Sequence, residues 1–133
     1  MTVRGLGLLA VLIVFSAALA FAAECGLRAG TAVTLASNPN DPDVIVWDSR
    51  ERLVAYAAGR WNSAHDVMAH TKIAGPGTRA RVVACFAGVA HLKLADIDRD
   101  AIGVHIMSGP LRGRYGWVVS SDVHMVKTAQ LVQ

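Results

Sequence analysis

From Gly5 to Ala23 the chain carries no charge, a run of about 19 residues that decides how much of the sequence is left to fold. One positive residue, Arg4, precedes it. An apolar stretch from Leu6 to Phe15 follows, and then the small-residue series Ser16, Ala17, Ala18, Leu19, Ala20, Phe21, Ala22, Ala23. This order of a basic end, an apolar middle and small residues is that of a secretory signal peptide. Signal peptidase requires small side chains at the first and third positions before the cut, which Ala22 and Ala20 supply for cleavage before Ala23; Ala20 and Ala18 supply them one step earlier. The expected organisation is a signal peptide over 1–22 and a single domain over 23–133. An uncleaved anchor is the alternative, because such a run is just long enough to cross a bilayer. A lipoprotein is disfavoured, since Glu24 precedes Cys25 where lipid attachment wants a small residue.

The same run explains a hydrophobic content of 53%, so a multi-span membrane protein is not implied. The formal charge of +3 includes Arg4, which leaves about +2 on the expected mature chain, far short of the basic surface of a nucleic-acid binder. Export to the periplasm or the medium is expected, with no stable membrane insertion after cleavage and no nucleic-acid partner.

Export also sets the reading of Cys25 and Cys85, the two cysteines of the sequence. An oxidising compartment permits a structural disulfide. Closing a loop of this length is worth about 4 kcal/mol in the chain-entropy account. A reactive or metal-binding thiol would want a CxxC arrangement or a His nearby in sequence, and neither is present.

Along the mature chain, residues 31–36 alternate enough for a short strand, and 37–43 form a connector rich in Asn, Asp and Pro. A second strand is expected at 44–47. Asp48 or Ser49 can then cap a helix that Gly59 ends, with Leu53, Val54, Tyr56 and Ala57 as its apolar stripe. A further helical turn can occupy 64–69, and Gly75-Pro76-Gly77 marks a sharp turn. Downstream the pattern is antiparallel β-structure: strands at 79–86, 89–95, 101–108 and 115–119, separated by Ala87-Gly88, by an acidic turn over 96–100, and by 109–114. Sequential hairpins of this kind make a barrel or a curled sheet.

The segment Gly77-Thr78-Arg79-Ala80-Arg81-Val82-Val83, with Gly103 to Val118 and then Ser120-Ser121-Asp122-Val123, resembles the second half of a bacterial SH3-like domain. In that family a Gly-Trp-Val strand, here Gly116-Trp117-Val118, follows a glycine-bearing hairpin, and a short helical turn leads into a last strand. The resemblance spans roughly 44–125 and is most specific over 109–123. It implies a mainly β protein, a small five-stranded antiparallel SH3-like β-barrel with the helix over 49–59 inserted in an enlarged first loop. The Asn-Val-Arg opening of many bacterial SH3 repeats is absent, as are the paired tyrosines of proline-reading SH3 domains.

Candidate chemistry is sparse. Asp96, Asp98 and Asp100 have the spacing of a calcium loop, but Ala101 stands where its turn glycine belongs and Met107 where its bidentate Glu belongs. His65 and His70 lack the HExxH frame, and no serine lies in a nucleophile elbow. No enzymatic activity, cofactor or metal is therefore expected.

Of Trp47, Trp61 and Trp117, the last is best placed to be an exposed aromatic platform. If Leu92 and Leu94 face the core, pairing them with Val104 and Ile102 sets Ala90 against Ile106 and His91 against His105 on the other face. Val118 inward then puts Trp117 outward beside His105. His91, His105 and Trp117 become the candidate ligand-binding patch, with Cys25 and Cys85 as the structural disulfide. The function expected is that of an exported envelope binding or interaction module whose partner is an envelope protein, a peptide or a cell-wall glycan. A periplasmic metal-binding protein using surface histidines, and a small inhibitor of an envelope hydrolase, are the alternatives.

Overall fold

Alternation of inward and outward side chains along the strands sets the architecture. In the computed structural model, which describes residues 25–126, the elements run β1 Ala32–Leu35, β2 Val44–Trp47, α1 Arg50–Ala57, α2 Ala64–Ala69, β3 Thr71–Ala74, β4 Thr78–Leu92, β5 Ile97–Ile106, β6 Tyr115–Val119, a 3-10 turn Ser120–Asp122 and β7 Val123–Met125. The signal peptide expected over 1–22, with its expected cleavage site, lies outside the described residues. Every strand pairing is antiparallel, in one sheet ordered β3-β2-β6-β5-β4-β1-β7. Val33 and Leu35 of β1 share one buried interior with Val44 and Val46 of β2, although the two strands are far apart in that order. The sheet must therefore curl, and it forms a half-barrel filled by these four with Val82, Ile102, Val104, Ile106 and Val118. Each such side chain removed from water contributes about 1.5–3 kcal/mol. β2 meets β6 so closely that any side chain at Gly116 would overlap Val46.

A second apolar cluster lies on the outer face. Trp47, Leu53, Ala90 and Ala101 are buried there beneath α1, with Trp117 and Val119 packed against them. Ser49 caps α1 as expected, its hydroxyl accepting from the Arg52 N–H at 3.2 Å, and Gly59 ends it with a φ of +76°. The guanidinium of Arg50 stacks over Phe86 at 3.8 Å, fastening the helix to β4.

Several sequence expectations need correction. The strands expected at 79–86 and 89–95 are one strand, β4, which passes through Ala87 and Gly88 with a bulge between Phe86 and Ala90. Gly88 makes this possible by taking a φ of +65°, and its N–H finds the Asp100 carboxylate at 2.9 Å. β3 was not foreseen: it is four residues long, and only Ala74 of it is buried. With β2 and β3 counted, the sheet has seven strands rather than five.

The β4–β5 turn is also earlier than the acidic stretch suggests. It occupies residues 93–96, with Asp96 at a φ of +52°, and Asp98 and Asp100 already belong to β5. Leu92 consequently pairs with Ile97 instead of Val104, and His91 pairs with Asp98 instead of His105. Leu94 sits on the turn, fully exposed.

The disulfide between Cys25 and Cys85 is present, with the two Cα atoms 5.9 Å apart. It pins the start of the described chain to the middle of β4. Backbone hydrogen bonds from Gly30 to Val82 and from Val82 to Thr31 continue the attachment. No helix among the described residues is long and apolar enough to cross a membrane.

Candidate functional site

The predicted patch comes apart at His91. His105 pairs with Arg81 on one side and Tyr115 on the other, and its ring stacks on the Tyr115 ring at 4.3 Å. His91 lies ten residues beyond Arg81 on the same strand, past the bulge at Gly88. There Nδ1 meets Asp98 at 2.7 Å and Nε2 meets Asp96 at 3.3 Å. The Asp98 hydrogen bond is the main cause of a raised imidazole pKa, so His91 acts as a clamp on the turn.

Trp117 does share a sheet face with His105, as expected, but its ring lies over Gly103 and against Phe86, with centroids 5.7 Å apart. It is half-buried in the cluster beneath α1 and is no open platform.

The concave feature of the surface is elsewhere. α1 covers only part of the outer face, and beside it opens a cleft of about 640 Å³, within the range of small-ligand and peptide-anchor sites. Ile45 and Trp47 of β2 and Val119 of β6 form its floor. Leu53, Tyr56 and Ala57 make one wall, and residues 92–95 of the β4–β5 turn make the other. The two walls are joined where the Lys93 N–H donates to the Ala57 carbonyl at 3.0 Å.

Three aromatic rings step outward from floor to rim. Trp47 and Tyr56 have centroids 5.0 Å apart, and Tyr56 and Trp61 are 6.0 Å apart, both pairs tilted. Tyr56 is 36% exposed and Trp61 50%. With Leu94, they give the cleft a rim of large apolar side chains open to solvent. Soluble proteins seldom leave such groups clustered without use.

The far end of the cleft is acidic. Asn38 shapes it, its side-chain oxygen accepting from the N–H groups of Asn40 and Asp41 in a tight turn, while the Ser37 N–H donates to the Pro42 carbonyl. This fold of the connector brings Asp41 and Asp43 to the cleft, where Asp122 of the 3-10 turn joins them. Burial raises the Asp122 pKa above the usual carboxylate value, against the opposing pull of a hydrogen bond from Ser37 and the nearby charge of His124.

The histidines are dispersed. His70 Nδ1 meets Asp48 at 2.7 Å, and His124 Nε2 donates to the Ala36 carbonyl at 2.9 Å. Among the described residues a single trio of potential metal ligands converges, Cys25, Cys85 and Asp100, and its two sulfurs are bonded to each other.

Sequence reasoning missed this cleft although it identified one wall. The apolar stripe of Leu53, Tyr56 and Ala57 is legible in the helical period, but the opposite wall depends on the position of the β4–β5 turn. Trp61, read as an anchor secondary to Trp117, is the more exposed of the two. No protein family, curated protein or solved structure matches the chain.

Proposed function

We propose that this protein is an exported, SH3-like interaction module of the bacterial envelope, without chemistry of its own, which holds an apolar segment of a peptide or protein partner in the cleft beside α1. The observation that carries the reading is the open apolar rim of Tyr56, Trp61 and Leu94 around a preformed concave floor. Aromatic side chains with few rotatable bonds are efficient anchors, because little entropy is lost when a partner orders them.

Two further observations support the module type and the compartment. The curled antiparallel sheet supports a barrel-like module, though its seven strands, with Val44 and Val46 of β2 in the interior, exceed the five that the family resemblance implies. Gly116-Trp117-Val118 lies in β6, followed by the 3-10 turn and a last strand. The Cys25–Cys85 disulfide supports an oxidising location, and the segment over 1–22 supports the route there. Cell-wall glycan is the weaker choice of ligand, since the cleft offers few polar side chains between its acidic end and Lys93.

A peptide-display selection on the oxidised protein tests the reading. Selected peptides are expected to lose at least about tenfold in affinity against Trp61→Ala and Tyr56→Ala, the loss usual for anchor residues. The unfolding midpoint of Trp61→Ala should stay near that of the parent, since half of the ring is already in water. A selection whose peptides bind both variants as well as the parent would overturn the assignment of the cleft.

A further inference from the structure

The charges around the cleft say more about its occupant than its apolar floor does. Asp41, Asp43 and Asp122 cluster at one end, and among the described residues none of the three has an ion-pair partner. The one basic residue lining the cleft is Lys93, and its side chain lies over Gly59, just past the C-terminal end of α1. A cation there is favoured by the helix dipole, so Lys93 serves the helix end. Of the other basic residues without an ion pair, Arg79 and Arg81 lie on β4, Arg112 and Arg114 before β6, Lys72 on β3 and Arg99 on β5, and none of these lines the cleft; Arg60 stands in sequence between the cleft-lining Gly59 and Trp61. Among the described residues Asp41 and Asp43 thus have no basic partner, while Asp122 has the Ser37 hydrogen bond and the nearby His124.

From this juxtaposition, an aromatic-rimmed apolar floor running into a cluster of three carboxylates, we infer that the partner is a peptide segment in which bulky apolar residues are followed by arginine or lysine. The inference rests on the cleft reading above and adds direction to it. The apolar residues lie over Ile45, Trp47 and Val119, and the basic residues reach toward Asp41, Asp43 and Asp122. Guanidinium groups suit the second position, because a planar fork can engage two carboxylate oxygens at once. Part of this attraction is solvent-exposed, so it contributes to orientation and to encounter as well as to affinity, and weakens with salt.

The test uses three acetylated, amidated peptides, each with two leucines flanked by glycine and followed by two arginines, two citrullines or two glutamates. Binding is read from the fluorescence of the protein's own tryptophans, with the whole oxidised chain, at low and at high salt. Citrulline keeps the planar shape of arginine, removes its charge and exchanges one NH2 donor for a carbonyl acceptor. The arginine peptide is expected to bind about tenfold more tightly than the citrulline peptide at low salt, the order of two partly exposed charge pairs. The glutamate peptide should bind most weakly. The double variant Asp41→Asn with Asp43→Asn should bring the arginine and citrulline peptides close together while leaving citrulline binding unchanged. Equal binding of the arginine and citrulline peptides to the parent would overturn the charge inference and leave the apolar cleft standing. Binding of all three peptides that is indifferent to Trp61→Ala would instead remove the cleft reading beneath it.

Discussion

The interior of the half-barrel and the cluster beneath α1 use similar side chains, yet one is sealed and the other is left open. In the interior, Ile102, Val104 and Val118 are closed in by strands from both ends of the sheet. On the outer face a helix of eight residues must do the covering, and although it touches β2, β6, β5 and β4 it leaves Ile45 and Val119 lining an open cleft. The uncovered remainder is the cleft. The difference teaches that strand alternation completes the inner core, while the outer surface depends on what the insertion between β1 and β4 supplies.

Four variants sharpen that contrast. The largest effect is expected at Ile102, which is fully buried in the interior. Ile102→Ala should cost about 2–5 kcal/mol through lost burial and a residual cavity, seen as a fall in Tm on the order of 20 °C for a domain of this size. A fall of only a few degrees would show that the interior is no tighter than the outer cluster. Replacing both cysteines by serine should cost about 2–5 kcal/mol in non-reducing buffer, at the lower end if the backbone bonds between Gly30, Thr31 and Val82 hold the segment unaided. Chemical denaturation of the oxidised parent and the double variant measures it.

A smaller effect is expected at Trp61. Trp61→Ala should change stability by less than about 1 kcal/mol while weakening peptide binding at least about tenfold, because its ring caps the cleft without sealing a core. The smallest concerns Asp122. Its carboxyl is protonated more readily in the folded protein than in the unfolded chain. The stabilisation this brings is complete below the ordinary carboxylate pKa and is lost as pH rises through the raised, folded value. Asp122→Asn should therefore gain in Tm on the parent as pH moves from about 3 to 7, with most of the change in the acidic part of that range. A difference between the two proteins that does not vary with pH would assign the burial of Asp122 no electrostatic cost.

Much of the fold is legible from local chemistry. β1, β2, α1 and β6 follow directly from apolar periodicity and from the caps Ser49 and Gly59, whereas the sequence around α2 is ambiguous. What local chemistry does not fix is register. Three aspartates invite a turn over 96–100, but the chain turns at 93–96 and uses Asp96 and Asp98 to hold His91. Gly88 reads as a loop residue and instead supplies a bulge inside a strand of fifteen residues. Each shift moves side chains by several positions, which is enough to separate His91 from His105 and to hide the second wall of the cleft. Short β3 carries too little apolar pattern to be seen before its partner β2 is placed.

The disulfide makes a covalent ring of residues 25 to 85, and this ring contains the connector with Asp41 and Asp43, the whole of α1 and Trp61. The 93–96 turn and Asp122 lie outside it. A protease that nicks the exposed connector would therefore cut a ring without dividing the molecule, and the two fragments would separate only after reduction. The cleft is assembled from both sides of that closure, one wall inside the ring and one beyond it, so a nicked but oxidised chain would still keep both walls on a single covalent body.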